Sequence, residues 1–331
     1  MSITQYDRKY QLVVYGDGGL GIDFSQFRIR FSVRRGDIQT PNTADIRVYN
    51  LSDKTADKIR QITPATEFTR VQLQAGYPGN YGLIFDGQIK QVRRGRESQT
   101  DTYIDITAAD GDSAYNYSTL ALSLAAGQTS PANQVEQIIG GMASQGVRKG
   151  YIPALDSNPL PRGKVLFGMA RDELRKLGRT TQTSWSIQDG RLTMVPMTAY
   201  MPGDIPVITS ATGMIGLPEQ TQNGIKIKSL LNPNLKIGRA VKLDNASLQQ
   251  YRYGLSIANN QQAQNMADEL YNKTNSDGLY YVMIADHVGD TRGNDWYTEL
   301  TCLAIDASVS PVYVPRFPIG PEAVDSIKRF G

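Results

Sequence analysis

Residues 27–34, FRIRFSVR, decide the fold class. Phe27, Ile29, Phe31 and Val33 alternate with Arg28, Arg30, Ser32 and Arg34. A side-chain period of two is that of a strand with one buried face and one wet face. The pattern repeats outward along the chain. Ala44, Ile46 and Val48 alternate, as do Val71, Leu73 and Ala75, and residues 102–108 read Thr, Tyr, Ile, Asp, Ile, Thr, Ala. One short helix interrupts over residues 52–62, with Ser52 as its N-cap and Ala56, Ile59 and Ile62 facing inward. Strands at this spacing predict a barrel or sandwich over residues 1–110.

Residues 111–205 change character and predict a small α/β module. Ser130-Pro131 starts a helix, a cap followed by proline in the first turn, and Val135, Ile138, Ile139 and Met142 keep helical spacing. A second helix is expected from about Lys164 to Leu177, with Leu166, Ala170, Leu174 and Leu177 on one face and Gly178 as its stop. SWSIQ-DG-RLTMV then reads as a hairpin, because Asp189-Gly190 suits the positive φ angles of a type I′ turn. Residues 206–310 return to strands at 224–231, 240–243, 278–285 and 296–305, with one helix near 260–272. The segment 311–331 holds Pro311, Pro315, Pro318 and Pro321, a density that favours an extended chain unable to join a sheet centre. The class is therefore mainly β (α+β).

Composition narrows the function. The 331 residues include one histidine, His287, and one cysteine, Cys302. Most protein-only active sites and transition-metal sites draw on those types. A Cys/His zinc cluster and an intramolecular disulfide are ruled out, and a Ser/His/Asp triad would have to run through His287. No cofactor or metal is expected. A formal net charge of +3 implies neither nucleic acid nor an anionic membrane as a dedicated partner. The longest apolar-leaning stretch, 120–126, is far below the roughly 20 residues that span a bilayer. MSITQYDRKY carries no basic-then-apolar leader pattern, and a lone cysteine suits synthesis in a reducing cytosol. The reading moves from enzyme towards a protein that acts by shape and assembly.

Several motifs compete with blander readings. Gly16-Asp17-Gly18-Gly19-Leu20-Gly21 matches G-x-G-x-x-G after a strand-like run. A dinucleotide site needs a helix to open at the last glycine, whereas the following IDFSQFRIRFSV is strand, so a hairpin connection is expected. Arg28, Arg30 and Arg34 share one strand face with Arg35 beside them, and Lys90, Arg93, Arg94 and Arg96 form a second basic group. Arginine forks suit phosphate, but a solvated face or pairs with acids on a neighbouring chain explain them more simply. Asp105, Asp110, Asp112, Asp286, Asp290 and Asp295 are expected in surface turns, and His287 is expected at a strand end, solvent-exposed or hydrogen-bonded. A carboxylate pair with Trp185 or Trp296 as a sugar platform would make the chain a cell-envelope hydrolase or a carbohydrate binder. That is the alternative from another class.

Three phrases carry a family resemblance. FRIRFSVRRGDIQTPNTADIRVYNLS (27–52), TGMIGLPEQTQNGIKIKSLLNPNLKIGRAVKLD (212–244) and HVGDTRGNDWYTELTCLAI (287–305) resemble the baseplate hub proteins of contractile-tailed bacteriophages. The resemblance spans roughly residues 10–310 and rests on structural phrases, not catalytic motifs. It implies two tail-tube-like β-barrels, 1–110 and 206–310, with the 111–205 module between them. It also implies a homotrimeric ring, pseudo-sixfold towards a hexameric tail tube protein and threefold towards a trimeric spike protein. Tape-measure protein, other baseplate proteins and non-specific passage of DNA would be its further partners. The expected location is the virion tail, with assembly in the host cytoplasm and no membrane insertion. Tyr313, Arg316 and Phe317 on the proline-stiffened segment are candidates for docking a partner, because a stiff strand loses little entropy on binding.

Overall fold

The computed structural model describes residues 7–16, 21–37, 39–62, 70–221, 224–243, 278–305 and 316–317. The helix expected near 260–272 lies outside the described residues. The chain opens with β1 (Lys9–Tyr15), β2 (Gly21–Asp23), β3 (Ile29–Gly36), β4 (Thr43–Tyr49), α1 (Asp53–Ile62), β5 (Arg70–Tyr77), β6 (Asn80–Arg96) and β7 (Thr102–Ala109). Next come α2 (Asp112–Tyr117), β8 (Thr119–Leu124), α3 (Pro131–Ala143), β9 (Arg148–Lys149), β10 (Lys164–Met169), α4 (Ala170–Thr181), β11 (Thr183–Gln188) and β12 (Arg191–Pro196). The last stretch holds β13 (Val207–Ile208), β14 (Glu219–Thr221), β15 (Gly224–Leu230), β16 (Ala240–Leu243), β17 (Leu279–Asp290), β18 (Trp296–Ile305) and β19 (Arg316–Phe317).

The mainly β, α+β class is what the chain adopts. Both β regions join one large sheet, ordered β14-β15-β18-β17-β3-β4-β7-β6-β5-β1-β2, and the two ends of this path do not pair with each other among the described residues. The join is the antiparallel pairing of β3 with β17, which runs from Gly36 against Ile284 to Arg30 against Asp290. The alternation read in residues 27–34 is real: along β3 Ile29, Phe31, Val33 and Arg35 are buried, while Arg30, Ser32 and Arg34 are exposed. Ile29, Phe31 and Val33 meet Leu12, Ile46, Leu73, Phe85 and Ile106 in the first core, which also receives Leu231 and Trp296 from the far end of the chain. A further core, around Ile227, Val241, Tyr280 and Leu300, underlies β15–β18.

The α/β part builds its own core from Leu120, Val135, Ile138, Leu174, Trp185 and Met194. Ser130 caps α3 as expected, accepting a hydrogen bond from the Asn133 N–H at 3.3 Å, with Pro131 in the first turn. Ser130→Ala is expected to cost about 1 kcal/mol of stability, read as a lowered midpoint in urea unfolding; an unchanged midpoint would mean that the cap contributes nothing. The hairpin at 183–196 has Asp189 at φ 54° and Gly190 at φ 72°, the two positive φ angles of a type I′ turn.

One expected element is different. Residues 164–169 form not the start of a helix but strand β10, paired antiparallel with β8. Helical spacing of Leu166 with Ala170 is accidental; Leu166 is buried from a strand, and Gly168, at φ 116°, lies inside β10 two residues before α4 begins. Gly178 lies inside α4, and Gln182 ends the helix in the left-handed conformation. Gly178 serves close packing instead, because a Cβ there would come within 2.8 Å of the Thr183 carbonyl oxygen. The glycine motif at 16–21 joins β1 to β2, and Gly21 opens β2 opposite Tyr15. A strand thus stands where the dinucleotide fingerprint needs a helix to open, and residues 17–20 of the motif lie outside the described residues.

Candidate functional site

Two polar assemblies stand out, one on each side of β3. The outward one contains the predicted arginines. Arg28 grips Asp290 with both branches, Nε to Oδ1 at 3.2 Å and Nη2 to Oδ2 at 2.7 Å, and lies 4.6 Å above the Tyr49 ring. Burial works to raise the Asp290 pKa, but hydrogen bonds from Arg28 and from the Arg292 and Gly293 N–H groups outweigh it and hold the carboxylate below its ordinary value. Arg30 is exposed and faces Arg47 on β4 across the ladder. Arg47 is itself clamped to Asp105, at 2.7 Å and 3.0 Å, and stacks 3.8 Å over Tyr103. Arg34, 70% exposed, reaches Asp286 only at 4.0 Å. The face is thus a strip of mixed charge with two arginine forks already filled by carboxylates. A phosphate trap would need those forks open. Beside it a cavity of about 340 Å³ is lined by Gln26, Phe27, Arg28, Tyr49, Asn50, Asp101 and Arg292.

The inward assembly was not anticipated. Arg35 occupies the buried phase of the β3 alternation and is 2% exposed. Its Nη1 donates to the Ile84 carbonyl at 3.1 Å, and its Nη2 makes an ion contact at 3.1 Å with Asp189 in the β11–β12 turn. Asp110, expected in a surface turn, is buried. Its carboxylate accepts from the Asp189 N–H at 2.5 Å and the Gly190 N–H at 2.9 Å. Lys236 approaches Asp189 from the other β region at 3.8 Å. Asn42 accepts from the Gly36 N–H and donates to the Ile187 carbonyl, and Ser184 donates to Asp37 at 2.8 Å. Tyr281 of β17 donates to the other oxygen of Asp37. These contacts fasten the hairpin of the α/β part to both β regions.

Burial, then the neighbouring Asp189 charge, push Asp110 up to about 7. Burial lowers the Lys236 pKa. His287 lies inside β17, not at a strand end; its Nδ1 is 2.9 Å from the Thr298 hydroxyl. Burial, then Arg35 and Lys236, push it down to about 3, so it is neutral at physiological pH. Asp112 and Asp290 are also buried rather than in open turns, because each has a cation to meet: Lys90 at 2.8 Å and Arg28. Among the described residues neither assembly sets a nucleophile beside His287 in the manner of a Ser/His/Asp triad.

The family model for baseplate hub gp41 matches residues 21–249. The chain belongs to the baseplate hub gp41 family. No curated protein sequence is significantly similar to it. Among solved structures, the 43 kDa tail protein of prophage MuSo2 from Shewanella oneidensis is similar at 8% identity and a TM-score of 0.56, over 95% of this chain and 100% of that one. The tail protein from Neisseria meningitidis MC58 is similar at 10% identity and a TM-score of 0.56, over 92% and 99%. The E. coli c3393 protein is a component of the type VI secretion system described as structurally similar to T4 bacteriophage tail proteins gp27 and gp5. It is similar at 11% identity and a TM-score of 0.51, over 96% and 80%. At these identities the likeness is one of fold.

Within a hub-family chain the remaining predicted residues find the following places. Trp185 and Trp296 are 1% and 3% exposed, so neither offers an open face to a sugar ring. Trp296 instead packs edge-on against Tyr10 and Phe31. Tyr313 lies outside the described residues. Arg316 and Phe317 form β19, whose backbone pairs with Ile305 and Ala304 of the same chain. No group of three or more His, Cys, Asp or Glu residues among the described residues is placed to hold a metal ion. Among the same residues no helix is long and apolar enough to cross a membrane.

Proposed function

We propose that the chain is the structural hub of a phage tail baseplate. Three copies form a ring that adapts the hexameric tail tube to a trimeric spike. Membership of the hub family over residues 21–249 carries the reading. Two features of the fold support it. The large sheet ends in strands β14 and β2, each paired on one side only among the described residues. Unpaired strand edges invite further pairing unless something covers them, and neighbouring copies in a ring would do so. The outward face of β3, β4 and β7 is polar and of mixed sign, which suits a wet wall past which DNA and tape-measure protein slide. A strongly basic wall would hold DNA through its phosphates.

On this reading the chain divides into tube-like units at 1–110 and 206–310, an inserted module at 111–205 and an extended arm at 311–331. Arg30 and Arg34, the arginines of β3 least engaged by carboxylates, face the lumen or the next subunit, and the arm, with Tyr313, Arg316 and Phe317, meets another baseplate protein. The envelope-hydrolase alternative loses its sugar platforms with the burial of both tryptophans. Light scattering and negative-stain images of the purified protein test the proposal. A trimer mass and a ring with a central channel are expected. A solid monomeric particle, or a cleared band on a peptidoglycan zymogram, would overturn it.

A further inference from the structure

Residues 214–221 form one margin of the large sheet. They run along β15, with the Ile215 N–H donating to the Lys228 carbonyl at 2.8 Å and Glu219 opposite Lys226. The side of β14 away from β15 has no strand beside it among the described residues. Ile215 and Leu217 on this margin are exposed. Charge does not say what covers them, because exposed Glu219 and exposed Lys226 stand together there. The course of the chain does.

Strand β19 leads the chain to this margin. Phe317 pairs with Ala304 of β18, and β15 takes up the same side of β18 two residues on, where Ile225 pairs with Cys302. Strand β17 holds the other side of β18 at both places. Because β19 is antiparallel to β18, the chain leaving Phe317 heads for the turn between β14 and β15. Pro318 has no N–H to give and cannot extend the ladder, so the chain must leave the strand there. Keeping its direction, it would pass antiparallel to β14 along the uncovered side. Fourteen residues, 318–331, follow β19 and lie outside the described residues. Extended, they would span about 46 Å, whereas Thr221 to Ile215 is about 20 Å of strand. Ile319, Val324, Ile327 and Phe330 give the segment apolar side chains of its own.

We infer that residues 318–331 fold back over the β14 margin of their own copy and cover Ile215 and Leu217. Burying apolar side chains and shielding an open strand edge both favour that position. The inference goes beyond the ring reading and holds without it, and it leaves residues 311–317 to the partner assigned above.

The test uses the full chain with Ser326→Cys carrying a fluorophore; Cys302 is buried and does not compete for the label. Fluorescence anisotropy should report a held label in this chain and a freely tumbling one once Leu217→Asp is added. Phe167→Asp, on the exposed face of β10, should leave the label held. Near-UV circular dichroism confirms that each variant is folded. In a second measurement, Ile327→Asp with Phe330→Asp should speed hydrogen exchange of the amides in 215–221 by about tenfold or more. A label that tumbles freely from the start, one released by Phe167→Asp but not by Leu217→Asp, or unchanged exchange at 215–221 would overturn the proposal. An excess of the unlabelled Ile327→Asp, Phe330→Asp chain, whose margin is vacant, should not recapture the label of the Leu217→Asp chain. Recapture would place the segment on a neighbouring copy and overturn the assignment to its own.

Discussion

Arg35→Ala is expected to lower the free energy of unfolding by about 3–5 kcal/mol, the cost of leaving one member of a buried ion pair without its partner. Arg35 is the side chain through which β3 meets the β11–β12 turn, and without it the Asp189 carboxylate stays in the junction beside Asp110 with only Lys236, at 3.8 Å, to offset it. Two carboxyl groups then share a poorly solvated site with less positive charge. The damage should be local first. Hydrogen exchange at the Asp189 and Gly190 amides, which donate to Asp110, should quicken before that of β3 itself. Arg35→Met with Asp189→Asn removes both charges and keeps most of the volume, so it should recover much of the loss, as buried pairs replaced together often do. Calorimetry on the wild type and both variants measures this. A single variant within about 1 kcal/mol of wild type would mean that the junction is not held by charge.

Much of the sheet was legible because strand periodicity is a local signal. The strict alternation of residues 29–34 and the runs at 44–48 and 102–108 each became a strand with the expected faces, and the span 296–305 became a strand. Asp189-Gly190 and Ser130-Pro131 were readable because turns and caps are decided by a few neighbouring residues. The misread helix at 164–169 shows the limit. Apolar spacing over KVLFGM fits two periods, and only the ladder to β8, some forty residues earlier, selects the strand. The joining of β3 to β17 was invisible for the same reason, since pairing between distant segments leaves no mark in either. Arg35 was legible in principle, because it sits on the buried phase of an alternation already recognised. Grouping it with exposed arginines by composition hid that. Asp110 had no such signal: the amides that bury its carboxylate come from a turn 79 residues away. Outward Arg28 and Arg34 likewise gave no sign that their carboxylate partners would be Asp290 and Asp286 of the same chain. That fact decides whether the arginine face is an anion trap or a neutralised wall.

The stability of this protein should hide two large and opposing titrations. His287 has its pKa pushed down from 6.5 to about 3 in the folded chain. Below pH 6.5 the unfolded chain therefore binds a proton that the folded chain refuses, and stability falls as pH falls. Asp110 has its pKa pushed up from 3.8 to about 7. Between those values the folded chain holds a proton that the unfolded chain has released, so stability falls as pH rises. Each slope is about 1.4 kcal/mol per pH unit, with opposite sign. They cancel where the windows overlap, from the unfolded pKa of Asp110 to that of His287. Removing either group should uncover the other. His287→Asn leaves a side chain able to hydrogen-bond Thr298, and relative to wild type this variant should gain stability on acidification through the overlap. Asp110→Asn keeps one oxygen for the Gly190 N–H, and this variant should lose stability over the same range. Charges that face these groups, Arg35, Lys236 and Asp189, are common to all three proteins. Carboxylates elsewhere, Asp286 among them with its pKa raised first by burial, shift every curve alike and drop out of the differences. Calorimetric midpoints at constant ionic strength, from about pH 7 down to about pH 4, should therefore fan out on either side of the wild type. Three parallel curves would mean that neither proton is coupled to folding.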